Sequence, residues 1–150
     1  MSFKPLLRAF QPAIRQATIT NTTPRILTSR LFHTTLPRMT VHNIATLEEF
    51  KETIAKNQVV MLDAFATWCG PCKAIAPQIA KWAEGDFKDK IYFAKFDVDA
   101  LPELAQELGV RAMPTFIIFK DGEKVDEFVG ANPPALQKVL VKNLPEGVSV

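Results

Sequence analysis

The sequence predicts an α/β fold, with a central mixed β-sheet flanked by helices on both faces. Three observations indicate it. Apolar runs of strand length alternate with helical patterns from residue 41 onward, one of these runs is almost wholly apolar, and an Asp-Gly pair joins two strands near the end. Strands separated by helices pair in parallel, whereas a hairpin adds an antiparallel pair. The predicted element order is β-α-β-α-β-α-β-β-α.

The first strand and the first helix follow from a short extended segment and a capping pair. A strand is expected over residues 41–44. A helix is expected over residues 47–56, because Thr46 is a favourable N-cap residue and Glu49, three residues later, completes a capping box.

The central strand and the helix after it have the clearest patterns. The run VVMLDAF, residues 59–65, is nearly unbroken in apolar character, so it suits a strand that is buried on both faces. A helix is expected over residues 70–84, and Pro77 inside it is expected to kink it. The side chains expected on its buried face are Ile75, Ile79 and Trp82.

The second half of the chain completes the sheet. Residues 91–98 are expected to form an aromatic and β-branched strand, and residues 101–108 a short helix. Two further strands share residues 115–130, with the Asp-Gly pair as their turn. A closing helix over residues 133–143 begins with proline in its first turn, where a missing N–H breaks no hydrogen bond.

Residues 1–39 differ from the rest of the chain in composition. They contain no Asp or Glu, nine Ser or Thr and six Lys or Arg, whereas the remaining 111 residues contain 12 basic and 16 acidic residues, a net charge of −4. This composition is typical of a transit peptide, and the apolar stretches, such as Leu6-Leu7, are too short for a secretory signal. We therefore expect residues 1–39 to be a disordered transit peptide that is cleaved, and residues 40–150 to be the folded domain.

The segment RLFHTTLPRM, residues 30–39, resembles the two-step mitochondrial cleavage pattern. Arg30 lies two residues before Phe32, and Thr35 follows three residues after it. Cleavage of this kind would start the mature chain near Thr40 and indicates a location in the mitochondrial matrix. The alternative is a disordered basic tail that binds nothing.

The composition of the folded part excludes several classes of protein. A weakly acidic domain without clustered Lys or Arg offers no footprint for nucleic acid, and no apolar run approaches the ~18 residues of a membrane span. With 47% hydrophobic residues in a chain of 150, the protein can build a core without a crosslink and is expected to be a monomer.

Cys69 and Cys72, both cysteines of the chain, lie in the segment WCGPCK. A structural disulfide across so short a loop would remove little unfolded-state entropy. A structural zinc site needs four ligands, and the only histidines, His33 and His42, lie in or beside residues 1–39. No metal is therefore expected, and a redox dithiol is the interpretation with positive support.

The placement of the cysteines at the start of a helix supports this interpretation. Cys69 closes the loop after the buried strand, where free backbone N–H groups and the helix dipole lower the pKa of a thiol. Cys72 lies one turn later on the same side, within reach of a mixed disulfide at Cys69. Pro71 suits a first helical turn, and Gly70 admits the backbone of a partner. These positions predict Cys69 as the exposed nucleophile and Cys72 as the more buried resolving thiol.

The segments around the cysteines resemble the thioredoxin family. WCGPCK lies between an apolar strand and a helix, as in thioredoxin, and DAFATWCGPCKAIAP, AKFDVD, MPTFIIFKDGE and VGA occur in the order and spacing of the family. The resemblance covers roughly residues 41–145 and implies the thioredoxin fold. One departure is Phe65, where many thioredoxins have tryptophan.

The resemblance implies roles for residues outside the dithiol. Asp63 is implied to be the buried carboxylate that relays a proton for Cys72, with Lys95 as its neighbour, and burial should raise its pKa. On the residues alone, alternatives remain: a paired and catalytically idle strand-end acid for Asp63, a solvated strand residue for Lys95, and either core packing or a docking surface for Trp68. The residues expected to contact substrate are Trp68, Gly70, Pro71, Met113, Pro114 and Gly130, with Met113-Pro114 as a cis-proline loop.

The function that the resemblance implies is the reduction of protein disulfides. Cys69 would attack the disulfide and Cys72 would release the reduced substrate, after which thioredoxin reductase, with its own NADPH and flavin, restores the dithiol. No cofactor is expected in this chain, and the expected substrates include peroxiredoxins and sulfoxide reductases. Two alternatives remain: a disulfide oxidase or isomerase, which the Gly-Pro pair disfavours because oxidising members carry histidine there, and a scaffold subunit that only binds partners.

Overall fold

A computed structural model describes residues 40–149, so the predicted transit peptide lies outside the described residues. Within that range the elements follow the predicted order. They are β1 (His42–Asn43), α1 (Leu47–Lys56), β2 (Val59–Phe65), α2 (Gly70–Glu84), β3 (Tyr92–Asp97), α3 (Pro102–Leu108), β4 (Thr115–Lys120), β5 (Glu123–Val129) and α4 (Pro133–Lys142). The bounds of α1, β2 and α2 coincide with the prediction, and β1, β3, α3 and α4 are shorter by one or two residues.

The strands form one mixed sheet in the order β1-β3-β2-β4-β5. β3 pairs in parallel with both β1 and β2, whereas β4 is antiparallel to β2 and to β5. The mixed sheet is therefore confirmed. One feature that the sequence does not predict is a shift of register between Ile118 and Phe119, where the β4-β5 ladder is irregular. Because β2 and β3 are parallel, the loops after them meet at one edge of the sheet.

Alternate residues of the central strand β2 face two separate apolar clusters. Met61 packs in a cluster with side chains of α2 and α4, which include the predicted Ile75, Ile79 and Trp82. Leu62 packs in a second cluster with side chains of α1 and α3. The sheet therefore carries helices on both faces, as predicted, and the α2/α4 face is the one that leads to the cysteines.

Thr46 begins α1 as predicted, because its Oγ1 accepts a hydrogen bond from the Glu49 N–H at 3.1 Å. The Glu49 carboxylate accepts from the Ala45 N–H at 2.8 Å, one residue earlier than in a standard capping box.

Among residues 40–149, no helix is both long and apolar enough to cross a membrane.

Candidate active site

Cys69 and Cys72 are joined by a disulfide at the start of α2. Cys69 is the N-cap of the helix, and its Sγ accepts a hydrogen bond from the Cys72 N–H at 3.2 Å. Gly70 and Pro71 fill the first turn between them and are exposed, and a Cβ on Gly70 would have no neighbour within 4 Å. The side of the motif that carries Gly70 is thus open to solvent. Among the described residues, no group of three or more His, Cys, Asp or Glu is placed to hold a metal ion.

The predicted contrast in exposure between the two cysteines is wrong for this disulfide form. Cys69 is 5% exposed and Cys72 is 4% exposed. Phe65, Val98 and Met113 pack against the cysteine pair and Ala66. We call these two cysteines and Ala66 the cysteine cluster.

Asp63 lies in the middle of the sheet, between β3 and β4, and is only 5% exposed. Its Oδ1 has no hydrogen-bond partner among the described residues. Burial raises the pKa of the Asp63 carboxyl from 3.8 to about 7, and the Lys95 ammonium opposes that rise. The carboxyl therefore exchanges a proton near neutral pH, as general acid–base chemistry requires.

The alternation of β2 places Asp63 on the face that carries the dithiol. Side chains two residues apart on a strand point to the same face. Met61, two residues before Asp63, belongs to the apolar cluster under α2, and Phe65, two residues after it, packs against the cysteine cluster. Asp63 thus lies in a row that runs from the core toward the cysteines.

Lys95 lies directly opposite Asp63 in the parallel pairing of β3 with β2. It is half-buried, and its Nζ lies 5.3 Å from the centre of the Phe65 ring. No ion pair within 4.0 Å joins it to Asp63 in the part of the chain that the structure describes. Lys95 is therefore a neighbour of the carboxyl that acts on it through space and not through a salt bridge.

Trp68, the residue before Cys69, is 67% exposed and does not belong to the core. Its indole Nε1–H donates to Asp99 Oδ2 at 2.8 Å, and the Asp99 N–H donates to Asp97 Oδ1 at 2.9 Å. The sequence prediction did not include Asp99. The sequence nevertheless contains a sign of this contact. Trp68 follows β2 and Asp99 follows β3, and the carboxyl ends of these parallel strands lie at the same edge of the sheet.

The Met113-Pro114 bond is cis, as expected, and the loop that contains it lies beside the dithiol. Met113 packs against the cysteine cluster. The Gly130 N–H donates to the Pro114 carbonyl at 2.9 Å, and Gly130 has a φ of +107°, a conformation that favours glycine. The structure therefore brings the dithiol, the cis-proline loop and Gly130 together from three separate parts of the chain.

The similarity to known proteins agrees with this geometry. A family model described as thioredoxin matches residues 41–142. The chain is 52% identical over 125 residues to thioredoxin-2 of Pyricularia oryzae, covering 83% of this chain and 72% of the relative. It is 38% identical over 129 residues to mitochondrial thioredoxin-3 of Saccharomyces cerevisiae, covering 86% of this chain and 94% of the relative.

A solved structure shows the same similarity in three dimensions. It concerns the thiol-resolving mechanism of yeast mitochondrial 1-Cys peroxiredoxin through the glutathione and thioredoxin systems. One of its chains is 40% identical to this protein with a TM-score of 0.62, and the match covers 66% of this chain and 92% of that chain. The protein therefore belongs to the thioredoxin family of protein-disulfide oxidoreductases, with Cys69 and Cys72 as its redox-active cysteine pair.

Proposed function

We propose that this protein reduces disulfides of other proteins in the mitochondrial matrix, with Cys69 as the nucleophile, Cys72 as the resolving thiol and Asp63 as the proton acceptor. The observation that carries the proposal is the position of the dithiol. It lies at the N-terminus of α2, on the sheet face that also carries a carboxyl with a pKa of about 7.

In the first step, the Cys69 thiolate attacks one sulfur of the substrate disulfide. The substrate S–S bond breaks, its second sulfur leaves as a thiolate that takes up a proton from solvent, and a mixed disulfide forms at Cys69. The N-cap position supports this role, because backbone N–H groups at a helix start favour a thiolate over a thiol.

In the second step, Cys72 attacks the Cys69 sulfur of the mixed disulfide. Asp63 accepts the Cys72 proton, the bond between Cys69 and the substrate breaks, and the substrate sulfur leaves as a thiolate that takes up a proton from solvent. The Cys69–Cys72 disulfide forms, so that the substrate, now a dithiol, has gained two electrons and this chain has lost two. A carboxyl is an efficient proton acceptor when its pKa lies near the working pH. The pKa of about 7 for Asp63 meets that condition.

The substrate is proposed to bind on the surface around the dithiol. Exposed Trp68 and Pro71 and the open space at Gly70 offer contact area. Half-buried Met113 and Gly130 border this surface, and buried Pro114 lies between Met113, its neighbour in the chain, and Gly130, its hydrogen-bond partner. An extended substrate segment is proposed to pair with the backbone of the cis-proline loop, in the manner of an added β-strand. This mode selects the disulfide by its backbone and so tolerates many substrates.

Thioredoxin reductase is the proposed electron donor, and peroxiredoxins and sulfoxide reductases are proposed substrates. Support for a peroxiredoxin comes from the similar solved chain, which belongs to a study of yeast mitochondrial 1-Cys peroxiredoxin. The mitochondrial location rests on the acid-free, arginine-rich composition of residues 1–39 and on the similarity to a relative named as mitochondrial.

A trapping experiment tests the roles of the two cysteines. The Cys72→Ser variant should hold substrate proteins as mixed disulfides in isolated mitochondria, while Cys69→Ser and the double variant should hold none. In the coupled assay with reductase, NADPH and insulin, Cys69→Ser should fall to the background rate. Full insulin reduction by Cys69→Ser would refute the assignment of the nucleophile.

An import experiment tests the location. The full chain, added to energised mitochondria, should be processed to a form that begins near Thr40, as mass spectrometry of its N-terminus would show. A chain that starts at Thr40 serves as the control and should stay outside. Recovery of the imported protein with Met1 intact would contradict the transit peptide.

A further inference from the structure

Phe65 lies at the end of β2 and has no part in the steps described above. Its ring packs against the cysteine cluster, and the Lys95 Nζ lies 5.3 Å from the ring centre. An ammonium within about 6 Å of an aromatic ring centre is attracted to the face of the ring. We propose that Phe65 is a positioning residue, which holds the Lys95 ammonium over its ring and away from the Asp63 carboxyl.

The pairing of β2 with β3 gives the Lys95 side chain two partners within reach. Asp63 lies directly opposite Lys95, and Phe65 lies two residues further along the same face of β2. A lysine opposite a buried carboxylate ordinarily forms a salt bridge with it. Here the ammonium lies over the ring, and Asp63 Oδ1 accepts no hydrogen bond from any described residue.

Because the side chains around Asp63 are mostly apolar, the pKa of its carboxyl depends strongly on where the Lys95 ammonium lies. β4 contributes Phe116 opposite Asp63, and the buried side chains of α2 are the disulfide cysteines and apolar residues. Lys95 from β3 is thus the charged group that acts on the carboxyl, and it lowers the pKa against the effect of burial. An ammonium moved closer would make Asp63 a weaker base at neutral pH. The ring therefore preserves the basicity that the proposed proton transfer needs, and in this consequence the inference rests on the proposed function.

A side-chain NMR titration of the Asp63 carboxyl in the oxidised full chain tests the inference. Replacement of the ring in Phe65→Leu should lower the titration midpoint by about half a pH unit or more, because Lys95 is freed to approach Asp63. Phe65→Trp, which keeps an aromatic face, should leave the midpoint within about 0.2 units of the original. If Phe65→Leu does not fold, Phe65→Ile provides a second variant without a ring.

Repeating the Phe65→Leu change in a Lys95→Met variant distinguishes an effect of the Lys95 ammonium from an effect of water. The competing explanation of a fall is that loss of the ring admits water, an effect that would not need Lys95. Lys95→Met alone should raise the midpoint, and adding Phe65→Leu to Lys95→Met should then leave that raised midpoint unchanged. An equal fall in both backgrounds, or no fall in Phe65→Leu, would overturn the proposal.

The rate of insulin reduction between pH 6 and 9 separates this inference from the proposed function. Phe65→Leu should shift the midpoint of the rate profile downward together with the NMR midpoint, and Asp63→Asn should remove that inflection. If Asp63→Asn leaves the profile unchanged while Phe65→Leu still lowers the NMR midpoint, the role of Asp63 as proton acceptor fails and the positioning role of Phe65 stands.

Discussion

The two faces of the sheet are built from alternate residues of the same strands, yet they bury different chemistry. Under α1 and α3 the row of β2 is Val60, Leu62 and Ala64, each at most 1% exposed and all apolar. Under α2 and α4 the row contains Asp63, which is 5% exposed, two residues after Met61, which is 0% exposed. On the first face β2 buries only apolar side chains, whereas on the second it buries a titratable group in the row that leads to the cysteines.

The loss of stability caused by burying Asp63 depends on pH. Because the pKa of Asp63 is raised to about 7 in the folded protein from 3.8, the folded state binds this proton more tightly than the unfolded state between those values. Stability should therefore fall as the pH rises from about 4 to about 7. The Leu62 face contains no buried acid or base among the described residues and should show no such dependence.

The largest effect is expected on the apolar face. Leu62→Ala should lower the free energy of unfolding by about 2 to 5 kcal/mol, because it leaves a cavity in a row with no exposed side chain. Urea unfolding measures the loss, and insulin reduction by the folded protein should be unchanged. A folded Leu62→Ala variant with strongly reduced activity would contradict the claim that this face of the sheet affects stability and not the reaction.

The Asp63 face should respond in the opposite direction. Asp63→Asn should stabilise the protein at pH 8 by as much as about 4 kcal/mol and have little effect near pH 4, since a charged carboxylate is no longer buried. The same change should slow insulin reduction about 10-fold or more. Equal stability changes at both pH values would contradict the raised pKa.

A surface carboxylate provides the matched control and the smallest effect. Asp126 accepts hydrogen bonds from Lys142 Nζ at 2.9 Å and Asn143 Nδ2 at 3.1 Å, and these bonds lower the pKa of Asp126. Asp126→Asn should lower stability at pH 7 by less than about 1 kcal/mol, because the site is partly solvated. The loss should vanish as the pH falls and the original carboxylate is protonated. If Asp126→Asn instead stabilised the protein, the stabilisation by Asp63→Asn could no longer be attributed to the burial of Asp63.

Local signals explain why much of the fold was predictable. The start of α1 follows from Thr46 and Glu49, and the start of α2 follows from Cys69, Gly70 and Pro71, all within one turn of the helix that they begin. The nearly unbroken apolar run of β2 predicted a strand buried on both faces, and Asp63 within it is buried. Each of these features depends on neighbours in the sequence.

The features that were not predicted depend on contacts between distant residues. Asp99 reaches Trp68 across 31 positions, and the position of Lys95 over Phe65 depends on the register between β2 and β3. Buried Cys69 belongs to a cluster that Val98 and Met113 contact from distant parts of the chain, and Met113 lies in the cis-proline loop. Periodicity identifies the face of a residue, but the strand register decides which partner it meets.

The most direct test of the proton transfer is the pH dependence of the second chemical step. Stopped-flow mixing of the reduced protein with a protein disulfide should show a release of reduced substrate that accelerates with pH, with an inflection near the Asp63 pKa of about 7. The inflection should disappear in Asp63→Asn and persist in Asp126→Asn. An Asp63→Asn profile that superimposes on the original would show that Cys72 loses its proton by another route.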